Sequence, residues 1–316
     1  MSTKHTMKVL FICSGNQNNG PSEVVLNQYE SLVRIGLKID IYSINGKGVF
    51  GYLKNIKPLR EKIKRSKYDI IHAHYSLTGI VAGLSSANPL IVSLMGSDAH
   101  LSGLFKTLTL YFYRRFWKAT ILKSKEMNSH LGLKSFILLP NGVDTIRFTP
   151  MNKNEARKRL NFSANEKIVV FIANPSRVEK NFKLAEDAIA LLKYQNIKLI
   201  PVFNVPNTEI PLYLNAADAL VLTSLYEGSV NVVKEAMACN IPVISTDVGD
   251  VKENLNGVIN CFISESIPEQ FAEHIAKAVN NAVRSNGREK IFKLGLDSES
   301  VAKKLIHLYE KEICRE

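Results

Sequence analysis

Short apolar runs, separated by stretches with helical spacing of apolar positions, recur along the whole chain. The first half holds "KVLFIC", "KIDIYSI", "YDIIHA", "PLIVSLM", "ATILK" and "FILLP", and the second "KIVVFIA", "IKLIPVF", "ALVLTS", "IPVIST" and "GVINCFI". Alternation of this kind is the mark of βαβ units building a parallel sheet. Between the sets, "LPNGVDTIRFTP" (Leu139 to Pro150) carries Asn-Gly and two prolines, which break both periods and read as a linker. The pattern predicts an α/β protein of two successive Rossmann-like domains, 1–148 and 149–297. A final helical stretch, about 298–316, has no strand after it and can pack back on the first domain. Open α/β sheets bind ligands beyond the carboxyl ends of their strands, so a cleft between the two domains is the expected working site.

The first strand runs into "CSGNQNNGPSE" (Cys13 to Glu23), which matches the phosphate loop G-x-x-x-x-G-K-[ST] except at its lysine. That lysine reaches the terminal phosphates, so ATP or GTP hydrolysis is not expected. A tight glycine- and asparagine-rich turn remains, with Pro21 suited to the first position of a helix. The spacing also lacks G-x-G-x-x-G, which argues against a nicotinamide-dependent dehydrogenase.

With 316 residues, 46% hydrophobic and 22% charged, the composition is that of an ordinary globular protein with room for two cores. No apolar run approaches the roughly 18 residues of a membrane span, and the N-terminal apolar core is too brief for a secretory signal, so a cytoplasmic location is expected. Four scattered cysteines without C-x-x-C spacing fit reduced thiols and no zinc site. The net charge of +12 is uneven: Met1 to Thr145 has 19 Lys+Arg against 8 Asp+Glu, and the remainder 22 against 21. The excess gathers in Tyr52 to Asp69 and Leu104 to Lys125. In the second stretch Arg114, Arg115 and Lys118 alternate with Phe112, Tyr113, Phe116 and Trp117. Such a helix suits an anionic bilayer surface, or equally a solvated basic side over an aromatic core side. No nucleic-acid motif accompanies it, so no nucleic-acid partner is expected.

The richest segment is "NAADALVLTSLYEGSVNVVKEAMACNIPVISTDVGDVKE". It reads as a buried strand, a loop, and a helix that starts near Val230 or Asn231 and stops where Asn240 takes a left-handed cap and Pro242 blocks continuation. Glu227 precedes the helix and Glu235 lies in its second turn, about 12 Å apart at 1.5 Å per residue, with the free amides of the helix start between them. Those amides and the positive dipole end suit a diphosphate, while carboxylates accept hydrogen bonds from sugar hydroxyls.

This segment resembles the E-x7-E region of the retaining nucleotide-sugar glycosyltransferases of glycosyltransferase family 4, of the GT-B fold. "DIIHAHYSLTG" is similar to that family's central N-domain strand, "LPNGVDTIRFTP" to its interdomain junction and "NPSRVEKNF" to its basic diphosphate loop. The resemblance implies two Rossmann-like domains with parallel sheets facing across a cleft, the second binding the donor and the basic first one the acceptor. It implies that Glu235 holds the ribose hydroxyls and Glu227 a hydroxyl of the donor sugar. Amides around Gly228, Ser229 and Val230, with Asn231 and Val232, would cradle the phosphates beside Gly15 and Asn174. Lys180 and Arg177 would neutralise the departing diphosphate without a metal or other cofactor. Gly20, His74, Asp98 and His100 would meet the acceptor, a glycan or a lipid-linked one, and Asn16 joins Gly15 and Gly20 in lining the site.

Three departures stand against the family pattern. Met95 replaces a histidine common in relatives, a loss that Asp98 or His100 can make good, although each can equally cap its loop. The stretch between Tyr194 and Asn215 is too short for the usual turn, helix and strand. Arg177 lies three residues before Lys180, later than the family's Gly-Arg pair. His72 and His74 share a strand face but lack a third metal ligand. The expected activity is retaining hexosyl transfer at the cytoplasmic face of a membrane; a GT-B protein that binds nucleotide or glycan without turnover is the alternative.

Overall fold

A computed structural model of the chain describes residues 7–16, 20–281 and 283–314. They form two compact units, Met1–Gly142 with Ser298–Glu316 (unit 1) and Val143–Asp297 (unit 2). The strands of unit 1 are β1 Lys8–Ser14, β2 Lys38–Ile44, β3 Ile70–His74, β4 Leu90–Ser93, β5 Ala119–Leu122 and β6 Ile137–Leu138. Those of unit 2 are β7 Lys167–Phe171, β8 Ile197–Pro201, β9 Ala219–Leu222, β10 Val243–Ser245 and β11 Phe262–Ile263. The helices before the junction are α1 Glu23–Arg34, α2 Gly48–Leu53, α3 Ile56–Ser66, α4 Ser76–Leu84, α5 Gly103–Arg115 and α6 Glu126–Leu131. Those after it are α7 Lys153–Arg159, α8 Phe182–Ala190, α9 Ile210–Ala216, α10 Asn231–Ala238, α11 Val251–Leu255, α12 Pro268–Asn280, α13 Gly287–Leu294 and α14 Ser298–Ile313. Each strand coincides with one of the apolar runs.

Every pairing is parallel, in the orders β2-β1-β3-β4-β5-β6 and β11-β10-β9-β7-β8. Successive residues of a strand face opposite sides, and both sides of each sheet are covered. In β1, Val9, Phe11 and Cys13 pack with Val25 and Leu32 of α1, whereas Leu10 and Ile12 pack with Val81 of α4 and Phe112 of α5. In β7, Val169 and Phe171 face α8 and α12, and Ile168 and Val170 face α9 and α10. These are doubly wound, Rossmann-like units.

Two local expectations shift. Helix α1 begins at Glu23 with Ser22 as its cap, so Pro21 lies just before the helix rather than inside it. The units divide at Gly142, earlier than residue 148, because Val143 donates to Leu296 O at 2.9 Å and Phe148 is buried in the core of unit 2. Residues 202–209, between β8 and α9, hold no helix or strand.

Helix α14 packs on unit 1, where Val301, Leu305 and Tyr309 join the β1 face. The Tyr309 side chain is fully buried and its hydroxyl lies 2.6 Å from His72 Nδ1, while Ser93 Oγ meets His72 Nε2 at 2.8 Å. Unit 1 therefore holds 23 Lys+Arg against 11 Asp+Glu, and unit 2 holds 18 against 18. Tyr309→Ala is expected to destabilise unit 1 by about 3–5 kcal/mol, as for other buried aromatic truncations. Tyr309→Phe should cost only about 1–2 kcal/mol, for the one hydrogen bond. Urea unfolding followed by the fluorescence of Trp117, a unit 1 core residue, measures both. Equal effects from the two substitutions would contradict the packing role of α14.

Candidate active site

Counted from the start of each unit, both sheets run second, first, third, fourth, fifth. In that order the connections leave the first and third strands toward opposite sides, which opens a crevice at their carboxyl ends. In unit 2 those strands are β7 and β9, and in unit 1 they are β1 and β3. The predicted site residues cluster at these two places.

In unit 2 the loop after β7 brings Lys180, and the loop after β9 brings Glu227. Lys180 Nζ and Glu227 Oε1 form a direct ion pair, both side chains being largely buried, and Ser224 Oγ donates to the same carboxylate oxygen at 2.8 Å. Hydrogen bonds to backbone carbonyls hold the loops together: Thr223 Oγ1 donates to Lys180 O at 2.9 Å, and Leu225 N to Glu179 O at 2.9 Å. Arg177 sits at the exposed rim and pairs with Glu179, 2.7 Å from its Nε. Asn174 is a turn residue, its Oδ1 accepting from the Ser176 amide at 2.9 Å and hydroxyl at 2.8 Å. Lys180 and Glu227 are thus brought together, whereas Arg177 and Asn174 are engaged with loop neighbours.

Helix α10 starts at Asn231, as the pattern predicts, and ends before Asn240, which has a left-handed φ of 56°. Glu235 lies on it, nine-tenths buried. The amides of Gly228, Ser229, Asn231 and Val232 have no hydrogen-bond partner among the described residues, and the Asn231 Oδ1 atom is buried without one. Val230 differs from expectation. Its amide donates to Asp250 Oδ1 at 2.9 Å, so it is not available to a phosphate.

Asp250 and Lys234 are the functional surroundings that the sequence reading missed. Asp250 Oδ2 accepts from Ser229 Oγ at 2.8 Å and pairs with the fully buried Lys234 ammonium at 2.9 Å, and Lys234 also reaches Ser229 Oγ. Burial pushes the Asp250 carboxyl up, but the Lys234 charge and the hydrogen bonds from Val230, Lys234 and Ser229 together hold it below the ordinary value. The Gly249 backbone makes this approach feasible: its φ is +61° and a Cβ there would lie 2.9 Å from Gly228 O. The only sequence sign was "VGDVKE", an Asp after a glycine turn, which local spacing cannot connect to a helix twenty residues earlier.

In unit 1 a cavity of about 330 Å³ lies beyond β1 and β3, lined by Ser14, Ser22, Tyr52, His74, Met95 and Ser97 among others. His74 is almost fully buried, and neither ring nitrogen has a hydrogen-bond partner among the described residues. Burial, then the Lys123 charge, pushes its pKa down to about 3, so the ring is neutral at physiological pH and offers a hydrogen bond rather than a charge. His72 beside it is satisfied by Tyr309 and Ser93 and is structural. Asp98 is corrected to a loop cap: it is fully buried, and its two oxygens accept from Ser76 N at 2.8 Å and Met95 N at 2.6 Å. The His100 side chain and residues 17–19 of the first loop lie outside the described residues.

Gly15 serves close packing, since a Cβ would fall 2.3 Å from Asn45 Oδ1. Asn16 does not present itself to a ligand; it bridges to Gly46, accepting from its N at 2.9 Å and donating to its O at 2.8 Å. Gly20 has open space around it. Among the described residues, no group of three or more His, Cys, Asp or Glu is placed to hold a metal ion.

Residues 2–123 match the family described as "Glycosyl transferase 4-like", and residues 201–281 match "Glycosyl transferases group 1". A Bacillus subtilis protein assigned to teichuronic acid biosynthesis as glycosyltransferase TuaC is 29% identical over 76% of this chain and 71% of its own length. The Escherichia coli UDP-Gal:alpha-D-GlcNAc-diphosphoundecaprenol alpha-1,3-galactosyltransferase is 24% identical over 76% of this chain and 74% of its own. Among solved structures, Anabaena HepE in complex with UDP has a TM-score of 0.77 at 17% identity, covering 96% of this chain and 100% of that one.

Asp250→Asn is expected to destabilise unit 2 by about 3–5 kcal/mol at neutral pH, because it leaves Lys234 charged and buried without its partner. The Asp250 carboxyl is held low in the folded state, so its contribution is complete above the unfolded value of about 3.9 and fades as pH falls through the folded value. The stability gap between wild type and variant, from urea unfolding at several pH values, should be flat above about pH 5 and narrow below about pH 4. A gap that widened in acid would contradict this assignment.

Proposed function

Because the chain belongs to the family 4-like glycosyltransferases and has their GT-B fold of two Rossmann-like units, we propose that it moves a hexose from a nucleotide diphospho-sugar to a hydroxyl of a glycan or lipid-linked acceptor, with retention of configuration. The observation that carries this reading is the start of α10, where four amides without a partner among the described residues stand in a segment that also carries Glu227, paired with Lys180. Amides at a helix start are a ready anion site, and a diphosphate fits their number. Glu235 takes ribose hydroxyls and Glu227 a sugar hydroxyl, while Lys180 stands ready to balance the charge that grows on the leaving diphosphate. The acceptor O–H bonds to the anomeric carbon as the bond to the diphosphate breaks, and its proton passes to a phosphate oxygen. In unit 1 the neutral His74 meets the acceptor, its nitrogens lacking partners among the described residues. The roles of the two relatives, teichuronic acid biosynthesis and a diphosphoundecaprenol-linked substrate, support an envelope glycan as product.

Unit 1 is also the side we assign to an anionic membrane surface. Phe50 of α2 is 88% exposed and Leu104 of α5 72%, with Phe105, Leu108 and Tyr111 exposed on α5 near Arg114 and Arg115. Helices α2, α3 and α5 all pack on α4, so exposed apolar side chains and the basic α3 share one side of the sheet. Apolar side chains entering the headgroup layer, with lysine and arginine at the phosphates, bind peripherally. No helix among the described residues is long and apolar enough to cross a membrane.

Purified protein supplied with UDP-, GDP- and ADP-hexoses and lipid-diphosphate glycan acceptors should form a product of retained configuration. Lys180→Ala should lower kcat about a hundredfold, near 3 kcal/mol, and Glu235→Gln should act mainly through donor KM. Donor binding without product from any acceptor favours the binding-protein alternative. Sedimentation with phosphatidylglycerol vesicles should occur at low salt and weaken at high salt. Phe50→Ser with Leu104→Ser should reduce it further, and absence of binding at both salts removes the membrane assignment.

A further inference from the structure

We propose that unit 1 carries a second anion site, a cavity at the amino ends of β5 and β6 that takes a phosphoryl-bearing ligand with an apolar part. The cavity measures about 960 Å³, at the upper end of small-molecule sites. Its place separates it from the candidate active site. It is lined by Lys118, Ala119 and Thr120 where β5 begins and by Phe136 and Ile137 where β6 begins, while His74 ends β3. In a parallel sheet these are opposite edges, roughly 10–15 Å apart at about 3.3 Å per strand residue.

The charge of the lining is one-sided. Arg114, Lys118, Lys134, Lys304 and Lys311 line it together with His307, against a single carboxylate, the buried Glu312. The side chains of Arg114, Lys118, Lys134 and Lys311 make no ion pair or hydrogen bond among the described residues. In unit 2, by contrast, Lys153 and Arg157 share Asp218, and Lys180 and Lys234 each have a carboxylate. Cations that outnumber the carboxylates round a concave surface repel one another, and a bound polyanion relieves that repulsion.

The walls select further. Leu110, Trp117 and Leu308 give them apolar surface, and a bare phosphate fills little of the space. Trp117 and Thr120 are each more than nine-tenths buried, and neither the indole N–H nor the hydroxyl finds a partner among the described residues. A ligand that seats its phosphoryl group among the cations and its apolar part against Leu110, Trp117 and Leu308 satisfies this lining. Because Lys304, His307 and Lys311 belong to α14, such a ligand also ties that helix to the sheet edge.

Trp117 is the chain's single tryptophan, so its fluorescence reports the cavity directly. The full-length protein would be titrated with inorganic pyrophosphate, and separately with phosphatidylglycerol and phosphatidylcholine vesicles. A saturable change with pyrophosphate assigns a soluble phosphoryl ligand, and one with phosphatidylglycerol vesicles alone assigns a lipid headgroup. In either case Lys118→Ala with Lys311→Ala should weaken apparent affinity at least tenfold, and Lys180→Ala should leave it unchanged. Thermal melting without ligand checks that the double variant folds, and Lys134→Ala with His307→Gln replaces it otherwise. No saturable response to pyrophosphate or phosphatidylglycerol, or an unaltered response in the folded double variant, overturns the proposal.

Discussion

The start of helix α10 has more hydrogen-bond donors than unit 2 satisfies, and the surrounding residues are arranged around that surplus. The first amides of any helix lack intrahelical acceptors, and here Asp250 takes the one at Val230 while four others have no partner among the described residues. Asp250 is itself held by Lys234 and Ser229, so part of the positive end of the helix is capped from within. Glu227 does not cap the helix because Lys180 and Ser224 hold its carboxylate. The three loops after β7, β9 and β10 are stitched together by Thr223 to Lys180 O and Thr246 to Ser224 O, which fixes these charges relative to one another. An anion arriving there meets donors that need no rearrangement, the condition for strong electrostatic stabilisation.

The two units solve the same topological problem with opposite electrostatics. Each places its candidate residues where the first and third strands diverge, and each covers its sheet on both faces. Unit 2 is neutral overall and pairs its buried cations locally. Unit 1 carries the whole positive excess, with a neutral His74 at the switch point. Short-range recognition of a diphosphate suits the first arrangement, and attraction to an extended anionic surface suits the second.

The central strands were legible because strands buried on both faces, such as β3, β4 and β9, are written as continuous apolar runs, and the helix at Asn231 because its start, its left-handed Asn240 and Pro242 punctuate it locally. The family resemblance implies that Lys180 and Glu227 both serve the donor, but their direct pairing appears only in the fold, since no spacing joins residues on two different loops. The sequence leaves Asp98 open between a ligand contact and a loop cap, because an aspartate in a loop after a strand carries no sign of burial; only the fold shows both oxygens used by backbone amides. Val230 was misread for the same reason, its amide being taken by a residue from the next loop. The cavity at the amino ends of β5 and β6 was invisible in the sequence because α14, which supplies three of its basic residues, lies far from α5 along the chain.

Hydrogen exchange at single-residue resolution, with and without UDP, tests the central claim most directly. The account predicts slowed exchange at Gly228, Ser229, Asn231 and Val232, and little change at Val230, whose amide Asp250 already holds. Protection confined to other segments, with those four amides exchanging as in the free protein, would contradict it.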